Sequence, residues 1–224
     1  MKYFEPHWEA LPPAQREFWP QLAASTEIGL VLYGATAVAL RLGHRVSVDF
    51  DFFTEKPLSR EELSGRFGFL ASSTVIQSQK NTLTVLAPVK DSSVKISFSG
   101  EISIGRAGTP DRTPDQIVEV ASFEDLLATK LKVIQQRIEA KDYRDVAAML
   151  RAGIRLETGL AAARALYGPA FQPSEALKAL TYFEGGDLVT LTAAEREILT
   201  RAAAVVRQIP FVGLASQSLS SRQA

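Results

Sequence analysis

Two aspartates, Asp49 and Asp51, stand in the stretch HRVSVDFDFF (44–53), a run otherwise built largely of Val and Phe. Its alternation predicts a half-buried strand, with Val46, Val48, Phe50 and Phe52 on one face and Ser47, Asp49, Asp51 and Phe53 on the other. The two carboxylates then point the same way, roughly 6–7 Å apart. Like charges that close raise each other's proton affinity unless a cation sits between them or water surrounds them. Two acids on one face, with Ser47 just before them, have the spacing to bind a divalent cation through oxygen. The plain alternative is an edge strand kept soluble by its charges. Phe50, Phe52 and Phe53 weigh against it, because rings at that density imply a packed neighbourhood.

Gly34 is the second such residue. It closes the apolar run EIGLVLYG (27–34) and precedes ATAVALRL (35–42), so it reads as the turn between a buried strand and a helix. A glycine there lets the backbone approach a ligand, and the helix start at Ala35 and Thr36 offers free N–H groups to a phosphate. Strand, glycine and helix is also an ordinary connection, and neither a Walker pattern nor GxGxxG is present. The chain does return directly to the two acids, which can present a metal ion beside the same phosphates.

The third candidate lies in FEDLLATKLKVIQQRIEAKDYRD (123–145). At roughly 100° per residue, Leu126, Val133 and Ile134 define an apolar stripe into which Lys130 and Arg137 also fall. A buried, unpaired cation is costly, so an anionic partner is expected unless both stems snorkel to water. One candidate partner is a polyphosphate held near Asp49 and Asp51. Asp142 and Asp145 cap the next helix, orient Lys130 or Arg137, or supply a base. Lys95, beside Ser97 in VKISF, is a further phosphate contact or a plain surface lysine.

The elements that must position these residues read as α+β followed by helices. A helical stretch at 13–24 leads into the first strand, and Gly43 stops the helix at 35–42. Ser59 and Glu62 open a short helix, then STVIQSQ, TLTVLAPV and SVKISF form an antiparallel meander turned at Lys80-Asn81 and Lys90-Asp91. PDRTPDQ (110–116) reads as a linker, and the chain beyond about 120 as helix, with starts at Ser122, Ser174 and Thr192. This organises the chain as domain 1–118 and helical domain 119–224, with 216–224 expected to be a disordered tail.

Composition narrows the function classes. The 224 residues are 46% hydrophobic and 22% charged, and 25 basic residues balance 25 acidic ones, so no global field attracts nucleic acid or an anionic membrane. There is no cysteine, which excludes disulfides, thiol catalysis and thiolate zinc sites. Two histidines, His7 and His44, give no material for a multi-His centre. Without a signal-like or membrane-length apolar run, a cytoplasmic location is expected.

Three segments, LYGATAVALRLGHRVSVDFDFF, VKISF and DLLATKLKVIQQRIEAKDYRDVAAML, together resemble the AbiEii/AbiGii toxin family of nucleotidyltransferase-fold proteins, which includes the MenT-type toxins. TYFEGGDLVTL is also similar. The resemblance implies a nucleotidyltransferase-like mixed sheet flanked by helices and followed by a helical unit. It implies that Gly34 begins the signature and that Ser47, Asp49 and Asp51 form a Ser-x-Asp-x-Asp core holding Mg²⁺ on an NTP. Lys130 and Asp145 correspond to the family's helix lysine and later acid, with Arg137 and Asp142 between them. The implied activity is transfer of a nucleotide to an acceptor, for MenT-type members tRNA, as a toxin with a cognate antitoxin.

Two positions depart from that pattern. Ala35 stands where many nucleotidyltransferases have a hydroxyl for the phosphate, which leaves Thr36 to serve, and Ser97 stands where many carry a third carboxylate. Losing that acid removes a general base and weakens a two-metal mechanism. The reading is thus a Mg²⁺-dependent transferase with catalytic Asp49, Asp51, Lys130 and Asp145, and with Gly34, Thr36, Ser47, Lys95 and Arg137 binding substrate. The alternative is a catalytically silent module of the same fold that binds nucleotide, RNA or a protein; a metal-dependent phosphodiesterase is a third.

Overall fold

A computed structural model describes residues 3–221. In chain order its strands are β1 (Val31–Tyr33), β2 (Asp49–Phe53), β3 (Thr74–Gln79), β4 (Thr82–Val89), β5 (Ser92–Ser99), β6 (Asp111–Arg112) and β7 (Glu119–Val120). The helices are α1 (Pro13–Phe18), α2 (Gly34–Leu42), α3 (Arg60–Arg66), α4 (Phe123–Val133), α5 (Ala140–Arg151), α6 (Leu156–Tyr167), α7 (Pro173–Ala179) and α8 (Ala193–Val205). The chain divides into two compact units. The first holds residues up to Gly105, Thr109–Ser122 and the chain from Ser216; the second holds Arg106–Gly108 and Phe123–Ala215.

In the first unit all seven strands form one mixed sheet in the order β3-β4-β5-β2-β1-β7-β6. The meander supplies β3, β4 and β5 through two tight turns, and the expected Ser59 cap of α3 is present, its side chain accepting from Glu62 N–H. β2 lies parallel to β5 and antiparallel to β1, and β1 lies parallel to β7. The acidic strand is central because Phe50 and Phe52 are both fully buried, while Asp49, Asp51 and Phe53 share the partly open face. The strand is shorter than its sequence pattern suggests. It starts at Asp49, and Val46 and Val48 are 57% and 53% exposed rather than packed beside the phenylalanines. Ser47 is drawn inward instead, its N–H donating to the Ala10 carbonyl at 3.0 Å.

α2 ends where Gly43 adopts φ +60° and returns its N–H to the Ala39 carbonyl at 2.8 Å. One cation anchors this helix. Arg41 is buried, donates to the carbonyls of Ala121 and Val120 at 3.0 Å each, and pairs with Asp111 at 2.9 Å. Part of the expected linker, Asp111–Arg112, is therefore a strand, and Glu119–Val120 continues the sheet beside β1. The unit division accordingly falls at Ser122/Phe123, against 118/119 in the sequence reading.

The expected loose tail is also corrected in its described part, 216–221; residues 222–224 lie outside the described residues. Leu219 is fully buried, Ser218 Oγ and Leu219 N–H donate to Glu55, and Ser220 and Ser221 donate to Glu119. Burial alone pushes the Glu119 carboxyl up, but the hydrogen bonds from Ser221, Ser220 and Arg112 outweigh it and hold the group below its ordinary range. A polar tail with one leucine docks because a buried carboxylate needs donors.

The second unit is helical. Thr192 and Glu195 form the expected capping box of α8. The stretch 123–145 forms two helices, α4 and the start of α5, separated by a turn at 134–139, so that Asp142 and Asp145 lie on the next helix. Asp187 Oδ1 caps α5 by accepting from Ala140 N–H, which gives the TYFEGGDL segment a local role. Among the described residues no helix is long and apolar enough to cross a membrane.

Candidate active site

Within the first unit the site is built from the end of β1, the start of α2 and the open face of β2. The β1·β2 register sets Tyr33 opposite Asp51, so the chain must turn out of β1 directly beside that carboxylate. Gly34 makes the turn with φ +71°, a conformation that side-chain-bearing residues rarely adopt. A Cβ at Gly34 would lie 2.6 Å from Asp51 Oδ2. The missing side chain is thus the space that Asp51 occupies, and the first turn of α2 begins there.

Thr36 is buried and its hydroxyl ties the first turn of α2 to the acidic strand and to Ser47 shortly before it. Its oxygen lies 2.8 Å from Ser47 Oγ and donates to the Asp49 carbonyl. A hydroxyl has one proton, and a carbonyl only accepts, so the proton of Thr36 goes to Asp49 and Ser47 supplies the other. Both hydroxyls therefore position the acidic strand, which differs from the phosphate contact expected of Thr36. Lys95 and Ser97 share the face of the acids. The parallel β2·β5 register pairs Asp49 with Lys95 and Asp51 with Ser97, and Lys95 Nζ stands 3.2 Å from Asp49 Oδ2. Ser97 in turn lies 3.3 Å from the Thr84 hydroxyl.

The remaining candidates form a charged cluster inside the helical unit. Lys130 on α4 reaches Asp142 Oδ1 at 2.8 Å and Asp145 Oδ2 at 2.6 Å, both on the first turns of α5. The two carboxylates are fully buried and the lysine side chain is 7% exposed. Arg137, from the intervening turn, adds a bond from Nε to Asp142 Oδ2 at 2.9 Å. The anionic partner demanded by a cation in an apolar stripe is thus supplied by the chain itself. Burial pushes the Asp142 carboxyl up, and the charges and hydrogen bonds of Lys130 and Arg137 overcome that and hold it below its ordinary range.

The nine sequence-derived candidates gather in two clusters. Gly34, Thr36, Ser47, Asp49, Asp51 and Lys95 meet in the first unit; Lys130, Arg137 and Asp145 meet in the second, with Asp142 between them. Among the described residues, no group of three or more His, Cys, Asp or Glu side chains could hold a metal ion; Asp49 and Asp51 are the two acids of β2. Arg41, which pins α2 to the sheet, was not singled out from sequence. Its signal is a lone cation in an otherwise apolar helix, ATAVALRL.

A family model described as nucleotidyl transferase AbiEii toxin, type IV toxin–antitoxin system, matches residues 22–204. An uncharacterized protein of Aquifex aeolicus (strain VF5) is 33% identical over 122 residues, which cover 54% of this chain and 57% of that protein. The chain thus spans little more than half the length of that curated relative. No solved structure matched.

Proposed function

Because the chain belongs to the AbiEii nucleotidyl transferase toxin family of type IV toxin–antitoxin systems, we propose that it moves a nucleotide from an NTP to an acceptor hydroxyl. The acceptor proposed is RNA, with tRNA first among the candidates. A toxic activity of this kind calls for a cognate antitoxin in the same cell. The observation that carries the reading is the contact of Asp51 with Gly34: a carboxylate stands on the backbone turn that opens α2, with Asp49 on the same strand face.

In such a transfer the acceptor oxygen bonds to the α-phosphorus and gives up its proton to solvent, the bond to the bridging oxygen breaks, and pyrophosphate leaves with the added charge. Most of the catalysis is then positioning and charge stabilisation. Gly34 leaves room for the Asp51 carboxylate beside the turn that opens α2, whose first N–H groups suit a phosphate. Asp49 and Asp51 fit a hard cation: both donors are carboxylate oxygens, partly open, on one face. They would hold Mg²⁺, which supplies positive charge to the triphosphate when bound. Lys95 adds a fixed positive charge, and Thr36 and Ser47 hold the strand that carries the acids. Lys130, Arg137 and Asp145 are kept in the proposal as the charged cluster of the helical unit.

One observation favours a second reading, a silent nucleotide-binding module: the residue across from Asp51 is Ser97, which cannot act as a carboxylate base. Equilibrium binding of each non-hydrolysable NTP analogue with Mg²⁺ tests what both readings share. Wild-type protein is expected to bind at least one analogue, and Asp51→Asn to weaken binding by roughly tenfold or more. Absence of nucleotide binding by wild-type protein would remove both readings.

A further inference from the structure

The acid pair has a cation of its own within reach. Lys95 Nζ stands 3.2 Å from Asp49 Oδ2, and the two side chains are 42% and 39% exposed. The placement follows from sheet topology. β5 runs parallel to β2 in a register that sets Lys95 beside Asp49 and Ser97 beside Asp51. Ser97 faces the Thr84 hydroxyl, so its strand position brings a neutral group to the acids while Lys95 brings a positive one.

We infer that Lys95 is a resident counter-ion of the acid pair, carrying the charge that a second divalent cation supplies in two-metal phosphoryl transfer, so that this chain works with one. The inference rests on the nucleotidyl-transfer reading. Two-metal sites clamp both the attacking and the leaving oxygen, and they need enough carboxylate charge to hold both ions. Here Lys95 already offsets charge on Asp49, and among the described residues no third acid joins the pair in a metal-holding group. One divalent cation adds positive charge that suits a triphosphate; a second would meet repulsion from the first and from Lys95 together. A half-exposed pair of this kind adds little to fold stability. Its consequence is on ion binding, because a fixed ammonium beside Asp49 opposes entry of any other cation while holding charge ready for phosphate.

The test is Mn²⁺ binding to the full-length, nucleotide-free protein, read from the electron paramagnetic resonance signal of free Mn²⁺, with circular dichroism confirming each fold. Lys95→Met keeps the stem and removes the charge, and is expected to raise Mn²⁺ affinity roughly tenfold. Lys95→Arg keeps the charge and is expected to stay within about twofold of wild type. Asp49→Asn is expected to lose most of the binding. In transfer assays at saturating Mg²⁺, Lys95→Met is expected to lower kcat more than it changes KM. Unchanged or weakened Mn²⁺ affinity in Lys95→Met, with Asp49→Asn still defective, overturns the role of Lys95 alone. Wild-type-like binding in Asp49→Asn overturns the cation site on the acid pair and the Lys95 role with it.

Discussion

Gly34→Ala is expected to lower nucleotide transfer by roughly 10²–10³-fold, measured as label moved from an NTP to acceptor. Two effects act together. The backbone at Gly34 has φ +71°, which costs an alanine about 1–2 kcal/mol. The added methyl would also stand 2.6 Å from Asp51 Oδ2 and 3.3 Å from its Cβ and Cγ, so either the carboxylate or the start of α2 must move. Either shift separates the acid pair from the turn that opens α2. Gly43→Ala serves as the control at the other end of the same helix. There φ is +60° and the new methyl would meet the exposed His7–Glu9 pair, at 2.7 Å from His7 Nδ1 and 3.2 Å from Glu9 Oε1, at the opposite end of α2 from Asp51. Gly43→Ala should lower the thermal midpoint as Gly34→Ala does while largely keeping transfer. Equal loss of activity in both variants would mean that backbone strain, rather than displacement of Asp51, explains the effect.

Lys130→Met is expected to destabilise the protein by about 3–5 kcal/mol at neutral pH, measured by urea unfolding. Without the ammonium, Asp142 keeps Arg137, and Asp145 loses a partner 2.6 Å away, both carboxylates being fully buried. The pH dependence distinguishes this cause from lost packing. In the wild type the Asp142 carboxyl is held below its unfolded value, so its stabilisation is fully present above about pH 4 and is lost as pH falls through the lowered folded value. In Lys130→Met the Asp142 carboxyl keeps the burial that pushes it up and loses the ammonium that holds it down, so it takes up a proton more readily than in the wild type. The deficit against wild type is therefore expected to be largest at neutral pH and to narrow as the solution is acidified. Adding Asp145→Asn to Lys130→Met should recover part of the stability at pH 7, because the buried like charges are then reduced to one. A deficit that is constant from pH 7 to pH 4 would contradict the charge account.

The two variants also separate positioning from chemistry for Lys130. A residue needed only to hold α4 against α5 should lose activity in proportion to folded fraction. A residue that also touches substrate should show reduced kcat in protein that is fully folded at low temperature.

Legibility in the sequence followed how local each cause is. The Phe-Asp alternation at 49–53 marks a strand with one buried face, and the Gly34 turn and Gly43 stop are written in single residues, so these elements were readable. Val46 and Val48 continue the same alternation, yet the strand does not include them. Ser47 is pulled in by Ala10 and Thr36, contacts that no window around 47 contains. Lys130 posed the right question, since a cation in an apolar stripe needs an anion. Its answer, Asp142 and Asp145, depends on the chain turning at 134–139 and returning, a direction that no local pattern specifies. Lys95 was visible as a candidate phosphate contact, whereas its pairing with Asp49 depends on the parallel register of two strands far apart in sequence. The C-terminal SQSLSS is polar and reads as loose; it docks because Glu55 and Glu119, distant in sequence, require donors.

The most direct test of the central claim is incubation of the protein with each α-labelled NTP, Mg²⁺ and total tRNA, with Asp49→Asn in parallel. The account expects label to appear on RNA from at least one NTP with wild-type protein, and to fall at least 100-fold, roughly, with Asp49→Asn. Nucleotide binding without label transfer from any NTP would contradict it and leave the silent binding module as the better description.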